Sequence, residues 1–221
     1  MTNTSAGNTG RLLRAGLRAL LVLTAVCGVL YPMAVTGVAQ LAFPAQANGS
    51  QLKDGSGRTV GSSLIGQTYP ADGKPDPRWF RPRPSHGLGA NSVNTRYELI
   101  LSGATNRSGD NAELIQWVEE AKATVIRDDS VPGHPVRPSD VPPDAVTSSG
   151  SGLDPHISPA YAELQVHRVA ARNHLTVAQV AGLVADHTED RILGFIGEPR
   201  VNVLRLNIAL RELVASTAAS G

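Results

Sequence analysis

The chain has 221 residues, of which 41% are hydrophobic and 4% aromatic, and its formal net charge is +1. A balance this close to zero gives no electrostatic support for nucleic-acid binding, so we expect no nucleic-acid partner. The charge is unevenly placed, because no acidic residue precedes Asp54, whereas Arg11, Arg14 and Arg18 lie close to the N-terminus. The beginning of the chain is therefore expected to have a different role from the rest.

An uncharged run of 25 residues, Ala19–Phe43, follows these arginines. As a helix it is about 37 Å long at ~1.5 Å per residue, which exceeds the ~30 Å hydrocarbon core of a membrane. The run predicts a single transmembrane helix. Basic residues favour the cytoplasmic side, so residues 1–18 are a predicted cytoplasmic N-terminus and residues 44–221 a soluble extracytoplasmic domain. The alternative is a cleaved signal peptide ending near Ala45–Ala47, although its apolar region usually has only ~7–15 residues.

Gly28 and Pro32 lie four residues apart inside this run. Small residues at this spacing let a second helix approach closely, and proline removes a backbone hydrogen bond and kinks a helix. The pair is a candidate contact with a partner helix, although glycine and proline are common in membrane helices in any case. Cys27 is the only cysteine and lies in the same run, so the predicted extracytoplasmic domain has no disulfide.

Residues 44–95 are rich in glycine, proline, serine and asparagine. Within them, Val60–Tyr69 predicts a short strand bounded by turns. Prolines surround Trp79 and Phe80 and forbid a long helix or a central strand there. These two aromatic residues, placed among arginines, are candidate anchors for a partner protein. The alternative is a loop that its aromatic side chains hold against the domain.

Two helices with defined starts are predicted in the middle of the chain. Asp110, with Glu113 three residues later, predicts the capping box of the first. Ser158 before Pro159 predicts the start of the second, because serine accepts from an unpaired backbone N–H and proline has none to lose. This second helix is expected to end near Arg172.

Two further helices are predicted towards the C-terminus. Thr176 opens a T-x-x-Q capping box for the first of them. Arg191–Val201, between the two, predicts a strand interrupted by glycine. Mixed helices and short strands around one core indicate an α+β fold. The expected apolar faces comprise Val177, Val180, Ala181 and Val184 in the first helix and Val203, Leu206, Leu210 and Leu213 in the second.

The stretch SSGSGLDPHISPA, Ser148–Ala160, combines serines and glycines with an acid and a histidine. Asp154, His156 and Ser158 alternate in it, but the members of a catalytic triad usually come from distant parts of a chain. The motifs G-x-S-x-G, G-x-x-x-x-G-K-[ST] and H-E-x-x-H do not occur. We expect no catalytic residue and no metal site here. The stretch is interpreted as a rigid turn and helix cap that presents Asp154 and His156 as candidate partner contacts.

Two long stretches carry a family resemblance, VPPDAVTSSGSGLDPHISPAYAELQVHRVA at Val141–Ala170 and HTEDRILGFIGEPRVNVLRLNIAL at His187–Leu210. GSSLIGQ at Gly61–Gln67 and RPS at Arg83–Ser85 add to it. With these motifs the chain resembles the C subunit of the Kdp potassium-transporting ATPase from its uncharged run almost to its end. One segment departs from that family, where SGATNRSGDN at Ser102–Asn111 replaces the usual SGGSNLGPTN.

The resemblance implies a non-catalytic accessory subunit of a membrane-bound potassium-uptake complex. The implied partners are a potassium-binding, channel-like subunit, a P-type ATPase subunit and a small membrane subunit. Members of the family are described as catalytic chaperones that raise the affinity of the pump subunit for ATP. This role implies no cofactor of the chain's own, but ATP shared with the pump subunit, and it would single out Gln165 as a nucleotide contact.

The arginines conflict with that chaperone role, because they place the domain outside the cytoplasm, where cytoplasmic ATP does not reach it. Assembly with the potassium-binding subunit is therefore the simpler expectation, and Gln165 is interpreted as an ordinary surface amide. The alternatives are a secreted or membrane-anchored binding module with no transport role, and a secreted enzyme.

Overall fold

The computed structural model describes residues 6–68, 70–71, 74–85 and 102–220 of the chain. It divides into two compact units, Met1–Ser50 and Gln51–Gly221. The first unit is helical and the second combines helices with short strands, so the predicted α+β class is confirmed. Tyr69, the expected end of the first strand, lies outside the described residues.

The first unit is an apolar helical run with one change of winding. From Asn8 to Ala42 it is long and apolar enough to cross a membrane, and it is the one such segment in the described part of the chain. A π-helical turn ends at Leu30, two residues before Pro32, which has no backbone N–H to donate. Such wide turns occur inside α-helices as single turns. Helical conformation begins well before Ala19, so the three arginines lie on the helix. The elements are α1 (Ala6–Ala25), the π-turn (Val26–Leu30), α2 (Tyr31–Ala42) and α3 (Pro44–Ala47).

The strands of the second unit are short and antiparallel. Two hairpins come first, and the main sheet has three strands, with the last strand along the chain at its centre. In its register, His156 lies opposite Asn202 and Thr188 opposite Val201. The hairpins are β1 (Gln51–Lys53) with β2 (Thr59–Ser62) and β3 (Pro70–Ala71) with β4 (Lys74–Pro75), and the sheet contains β5 (His156–Ile157), β6 (Thr188–Glu189) and β7 (Arg200–Asn202).

The strand predicted over Arg191–Val201 is mostly wrong. Only the end of that range belongs to β7, because the chain turns back on itself between Ile192 and Ile196, which form an isolated bridge. The glycines at 194 and 197 have φ angles of +81° and +83°, a left-handed conformation that favours glycine and ends a strand.

Four helices complete the second unit, and their caps test the predicted starts. Ser158 accepts a hydrogen bond from the Tyr161 backbone N–H, and Thr176 forms the reciprocal capping box with Gln179, as predicted. The predicted cap at Asp110 is wrong by one residue, because the Asn111 side chain accepts from the first turn instead. The helices are α4 (Ala112–Asp129), α5 (Pro159–Asn173), α6 (Val177–Asp186) and α7 (Val203–Ser220), with a 3₁₀ turn at Pro143–Ala145.

The core lies where α5 packs against α4, α6 and the sheet. The stripe predicted for α7 is confirmed, with its first three residues fully buried and the fourth, Leu213, half-buried. The face predicted for α6 is half right, because Val180 and Val184 are buried but Val177 and Ala181 are exposed. The main contacts of α6 are with α5 and α7, and the two buried valines, four residues apart, provide its part of the core. The buried apolar residues include Phe80, Val125, Ile157, Tyr161, Val166, Val169, Val180, Val184, Val201, Leu206 and Leu210.

Candidate functional site

The serine-rich loop, Ser148–Ser158, is held by backbone hydrogen bonds from three distant segments. Its Leu153 carbonyl accepts from the Gly66 N–H at 2.8 Å, and its Ser151 carbonyl accepts from the Gly103 N–H at the same distance. Its Pro155 carbonyl accepts from the N–H of Val203 at 2.9 Å. Segments remote in sequence thus meet at this loop, which supports its interpretation as a rigid turn.

Arg83 provides side-chain contacts to the same loop. Its guanidinium donates to the carbonyl oxygens of Thr147 and Ser148 at 3.3 and 3.2 Å and to the Asp154 carboxylate at 3.4 Å. The hydroxyl of Ser85 donates to the carbonyl of Gly152. The RPS motif therefore satisfies polar groups of a loop that lies more than sixty residues further along the chain.

Asp154 and His156 form a half-buried pair beside Arg83. The Asp154 carboxylate accepts from the backbone N–H of His156 at 2.9 Å, and its distance to the His156 Nδ1 is 3.4 Å. The hydrogen bonds from His156, assisted by the charges of His156 and Arg83, hold the pKa of Asp154 below its usual value. On the far side of the ring, Asn202 lies 3.5 Å from Nε2. Both predicted contact residues are thus partly accessible and fixed in position.

Ser158 does not share a hydrogen bond with that pair. Its hydroxyl donates to the Asp144 carboxylate at 2.9 Å and accepts from the Tyr161 N–H at 3.0 Å, and its own N–H donates to Asp144 at 2.7 Å. A hydroxyl used in this way serves the start of α5. The three alternating residues therefore do not form a triad, and the predicted helix cap is what the geometry shows.

Gln165, interpreted from the sequence as a surface amide, is fully buried, so that interpretation is wrong. Its Oε1 accepts from the backbone N–H of Arg81 and from the Arg168 guanidinium, both at 2.7 Å, and its Nε2 donates to the Arg81 carbonyl at 3.2 Å. The amide pairs with an extended backbone in the way a neighbouring strand would. A nucleotide contact through Gln165 would have to break these internal bonds.

Two more buried side chains complete what we call the backbone clamp, formed by Gln165, Arg168 and Asn207. Asn207 accepts from the Phe80 N–H and donates to the Phe80 carbonyl, both at 2.9 Å. Arg168 donates to the carbonyls of Pro77 and Trp79 and, at 2.6 Å, to the buried Asp129. The clamp thereby provides hydrogen-bond partners for backbone N–H and C=O groups of the proline-rich segment, residues 77–81, which the structure does not assign to a strand or a helix.

Sequence reasoning missed the clamp, apart from Gln165 itself. The available signal was a polar residue on the core-facing side of a helix, at Arg168 in α5 and at Asn207 in α7. Arg168 lies between Val166 and Val169, which are both buried, and Asn207 follows Leu206, which is also buried. A buried polar residue in such a position needs an internal partner, but the sequence does not say which one.

Of the aromatic pair, Phe80 is fully buried in the core, so its prediction as a surface anchor is wrong. Trp79 is half-buried and packs against the same core. The alternative, a loop held to the domain by its aromatic side chains, describes this segment.

The segment that departs from the family pattern has local partners. The Arg107 guanidinium lies 4.8 Å from the centre of the Trp117 ring, within the range of a cation–π contact. It also forms an ion pair with Glu113 at 2.8 Å. The substituted segment is thereby attached to α4.

The predicted helix contact at Gly28 and Pro32 lies in the first unit, where both residues are exposed. The nearest atom to a Cβ added at Gly28 would be the Thr24 methyl at 3.8 Å, so the surface there has room for a close contact.

Comparison with known proteins identifies the family. The model of the family described as "KdpC: K+-transporting ATPase, c chain" matches residues 13–212. A potassium-transporting ATPase KdpC subunit of Streptomyces coelicolor is 67% identical, with 98% of this chain and 99% of that protein covered. The corresponding subunits of Kineococcus radiotolerans and Mycobacterium bovis are 48% and 43% identical, with 93% and 92% of this chain covered. The chain therefore belongs to the KdpC family, the c chain of the K+-transporting ATPase.

Proposed function

We propose that this chain is a non-catalytic, single-pass membrane subunit that supports assembly of a potassium-transporting ATPase. Its partners would be the potassium-binding and ATP-hydrolysing subunits and a small membrane subunit, with the domain after Ser50 outside the cytoplasm. The observation that carries the proposal is the apolar helix Asn8–Ala42 at the start of a chain that belongs to a transporter-subunit family.

The use of polar side chains in the domain supports a role in assembly. The residues that first suggested chemistry, Asp154, Ser158 and Gln165, each bond to another segment of the same domain, through Arg83, Asp144 and Arg81. The bonds of Asp154 and Ser158 hold the serine-rich loop in place, and Gly150 and Ser151 at its tip are exposed. An exposed tip on a loop that is already ordered suits recognition, because little conformational freedom is lost on binding.

The alternative role of a nucleotide chaperone has less support. Its one candidate contact, Gln165, has no accessible surface, and both of its polar atoms bond to Arg81. The charge distribution adds to this, because the basic residues near the helix favour a cytoplasmic N-terminus and hence a domain on the opposite side from cytoplasmic ATP. The membrane-anchored binding module without a transport role is the other alternative, and it predicts no effect on potassium uptake.

The orientation can be tested in intact cells by thiol labelling. With Cys27 replaced by serine, the exposed Ser139→Cys should react with a membrane-impermeant thiol reagent, whereas Thr9→Cys, close to the arginines, should react only after the cells are broken open. The reverse labelling pattern would contradict the proposed orientation. A soluble product that lacks the first helix would instead establish a cleaved signal peptide.

The assembly role can be tested with the proposed transporter subunits from the same organism. The tagged full-length chain should co-purify with them from mild detergent, and its deletion should abolish growth at low external potassium and reduce the yield of the complex. Normal complex assembly and potassium uptake in the deletion strain would refute the proposal and favour the binding module.

A further inference from the structure

The turn between β6 and β7 exposes a cluster of large apolar side chains to solvent. We call it the apolar tip, formed by Ile192, Leu193, Phe195 and Ile196. Leu193 is 79% exposed and Phe195 is 70% exposed, while the two isoleucines are about half exposed, at 53% and 49%. Single exposed apolar residues are ordinary, but four within five positions on one turn indicate an interaction surface.

The tip is rigid rather than loose. Ile192 and Ile196 exchange two backbone hydrogen bonds at 2.9 and 3.0 Å, and the Gly194 N–H donates to the Arg191 carbonyl at 3.0 Å. Leu193 has a φ angle of +54°, an uncommon conformation for a leucine that persists only where the surroundings fix it. The backbone therefore presents the leucine and phenylalanine side chains in a defined geometry before any partner arrives.

Paired charges surround the base of the tip. Arg191 bonds to Glu198 at 2.6 Å, and Glu189 lies 3.1 Å from Arg200 and 3.5 Å from Arg205. An aromatic centre inside a polar rim is the usual arrangement of a protein–protein contact. A segment that lies on a lipid surface instead carries an excess of lysine or arginine on its polar face, whereas three acids, Glu189, Asp190 and Glu198, match the three arginines here.

We infer that the apolar tip is a docking knob for a protein partner, and that its occupant is an apolar recess on another subunit of the transporter. This inference rests on the proposed function, because it takes the partner from the assembly in which the chain is proposed to act. Phe195 would occupy the recess, Leu193 and the isoleucines would line its edge, and the self-paired rim would exclude water without needing charged partners.

The test compares variants of the full-length chain during co-purification with the transporter subunits. Phe195→Asp should weaken the association at least about 30-fold, the loss expected for a hot-spot residue. Phe195→Leu should retain most of it. Ile115→Asp is the matched control, because Ile115 is an exposed apolar residue on α4, 45% accessible, that lies outside the tip. The two Phe195 variants should unfold like the wild type, since Phe195 is 70% exposed, and the same unfolding measurement checks that Ile115→Asp is folded.

The outcomes separate the two proposals. Failure of the wild-type chain to co-purify would refute the assembly role. Co-purification of the wild type and of Phe195→Asp to the same extent would overturn the docking knob alone.

A third measurement tests the membrane as the occupant. A polarity-sensitive fluorophore is attached to Phe195→Cys in the Cys27→Ser chain, and this chain is reconstituted alone in phosphatidylcholine–phosphatidylglycerol vesicles. Quenching by spin-labelled lipid chains would show insertion into the bilayer and overturn the protein partner. Emission typical of water, with a blue shift only when the other subunits are added, supports it.

Discussion

The backbone clamp gives the sharpest prediction, which is made for Gln165→Ala. The substitution removes the partner of the Arg81 N–H, of the Arg81 carbonyl and of one Arg168 N–H. A buried polar group without a partner costs about 1–3 kcal/mol. Three such groups together would cost about 3–9 kcal/mol. Arg81 is only half-buried and water can enter the space left by the amide, so the lower part of this range applies. We expect the free energy of unfolding to fall by about 3–5 kcal/mol.

The measurement is urea unfolding of the full-length chain in detergent, followed by the fluorescence of Trp79 and Trp117. Gln116→Ala is the matched control, because this glutamine of α4 is exposed and its side chain donates to Glu120 within the same helix. Its unfolding free energy should stay within about 0.5 kcal/mol of the wild type. A loss below about 1 kcal/mol for Gln165→Ala would refute the argument from the clamp. Specific ATP binding that disappears in Gln165→Ala at unchanged stability would restore the nucleotide role.

Three further predictions concern the serine-rich loop. Ser158→Ala should lower the unfolding free energy by about 0.5–2 kcal/mol through loss of the helix cap, and loss of potassium uptake at unchanged stability and assembly would show a chemical role instead. Gly152→Ala should lower the unfolding free energy by about 1–2 kcal/mol, because φ is +70° and an added Cβ would lie 3.0 Å from the Gly103 carbonyl oxygen. Gly150→Ala, with open space around it, should have little effect. Equal losses for the two variants in chemical denaturation would contradict this. The Asp154 pKa is lowered in the folded domain, chiefly by His156, so its stabilising contribution is present above the ordinary carboxyl pKa of about 3.9 and is lost as the pH falls through the lower folded value. Asp154→Asn should therefore reduce the acid-side loss of stability in pH-dependent melting, and an unchanged acid limb would refute this.

Local sequence was sufficient where the physical cause is local. The apolar helix of the first unit follows from hydropathy, since no residue between Ala19 and Phe43 is charged. The caps at Ser158 and Thr176 follow from side chains that bond within three residues of themselves. The cap at Asp110 failed because two polar residues, Asp110 and Asn111, are adjacent and either type can cap a helix. The backbone of Asn111 is the extended one, with φ −68° and ψ 120°, and its side chain accepts from the Leu114 N–H.

Tertiary structure decided which polar residues are buried with internal hydrogen bonds and which apolar residues remain exposed to solvent. Gln165 is buried because an extended backbone 84 residues earlier in the chain lies against α5 and needs both a donor and an acceptor. Phe80 is buried on that same extended segment, which Asn207 holds in place. Phe195, equally apolar, remains exposed because the Ile192–Ile196 bridge closes the turn on itself. Residue type and periodicity do not distinguish these cases, since burial depends on contacts between segments that are far apart in the sequence.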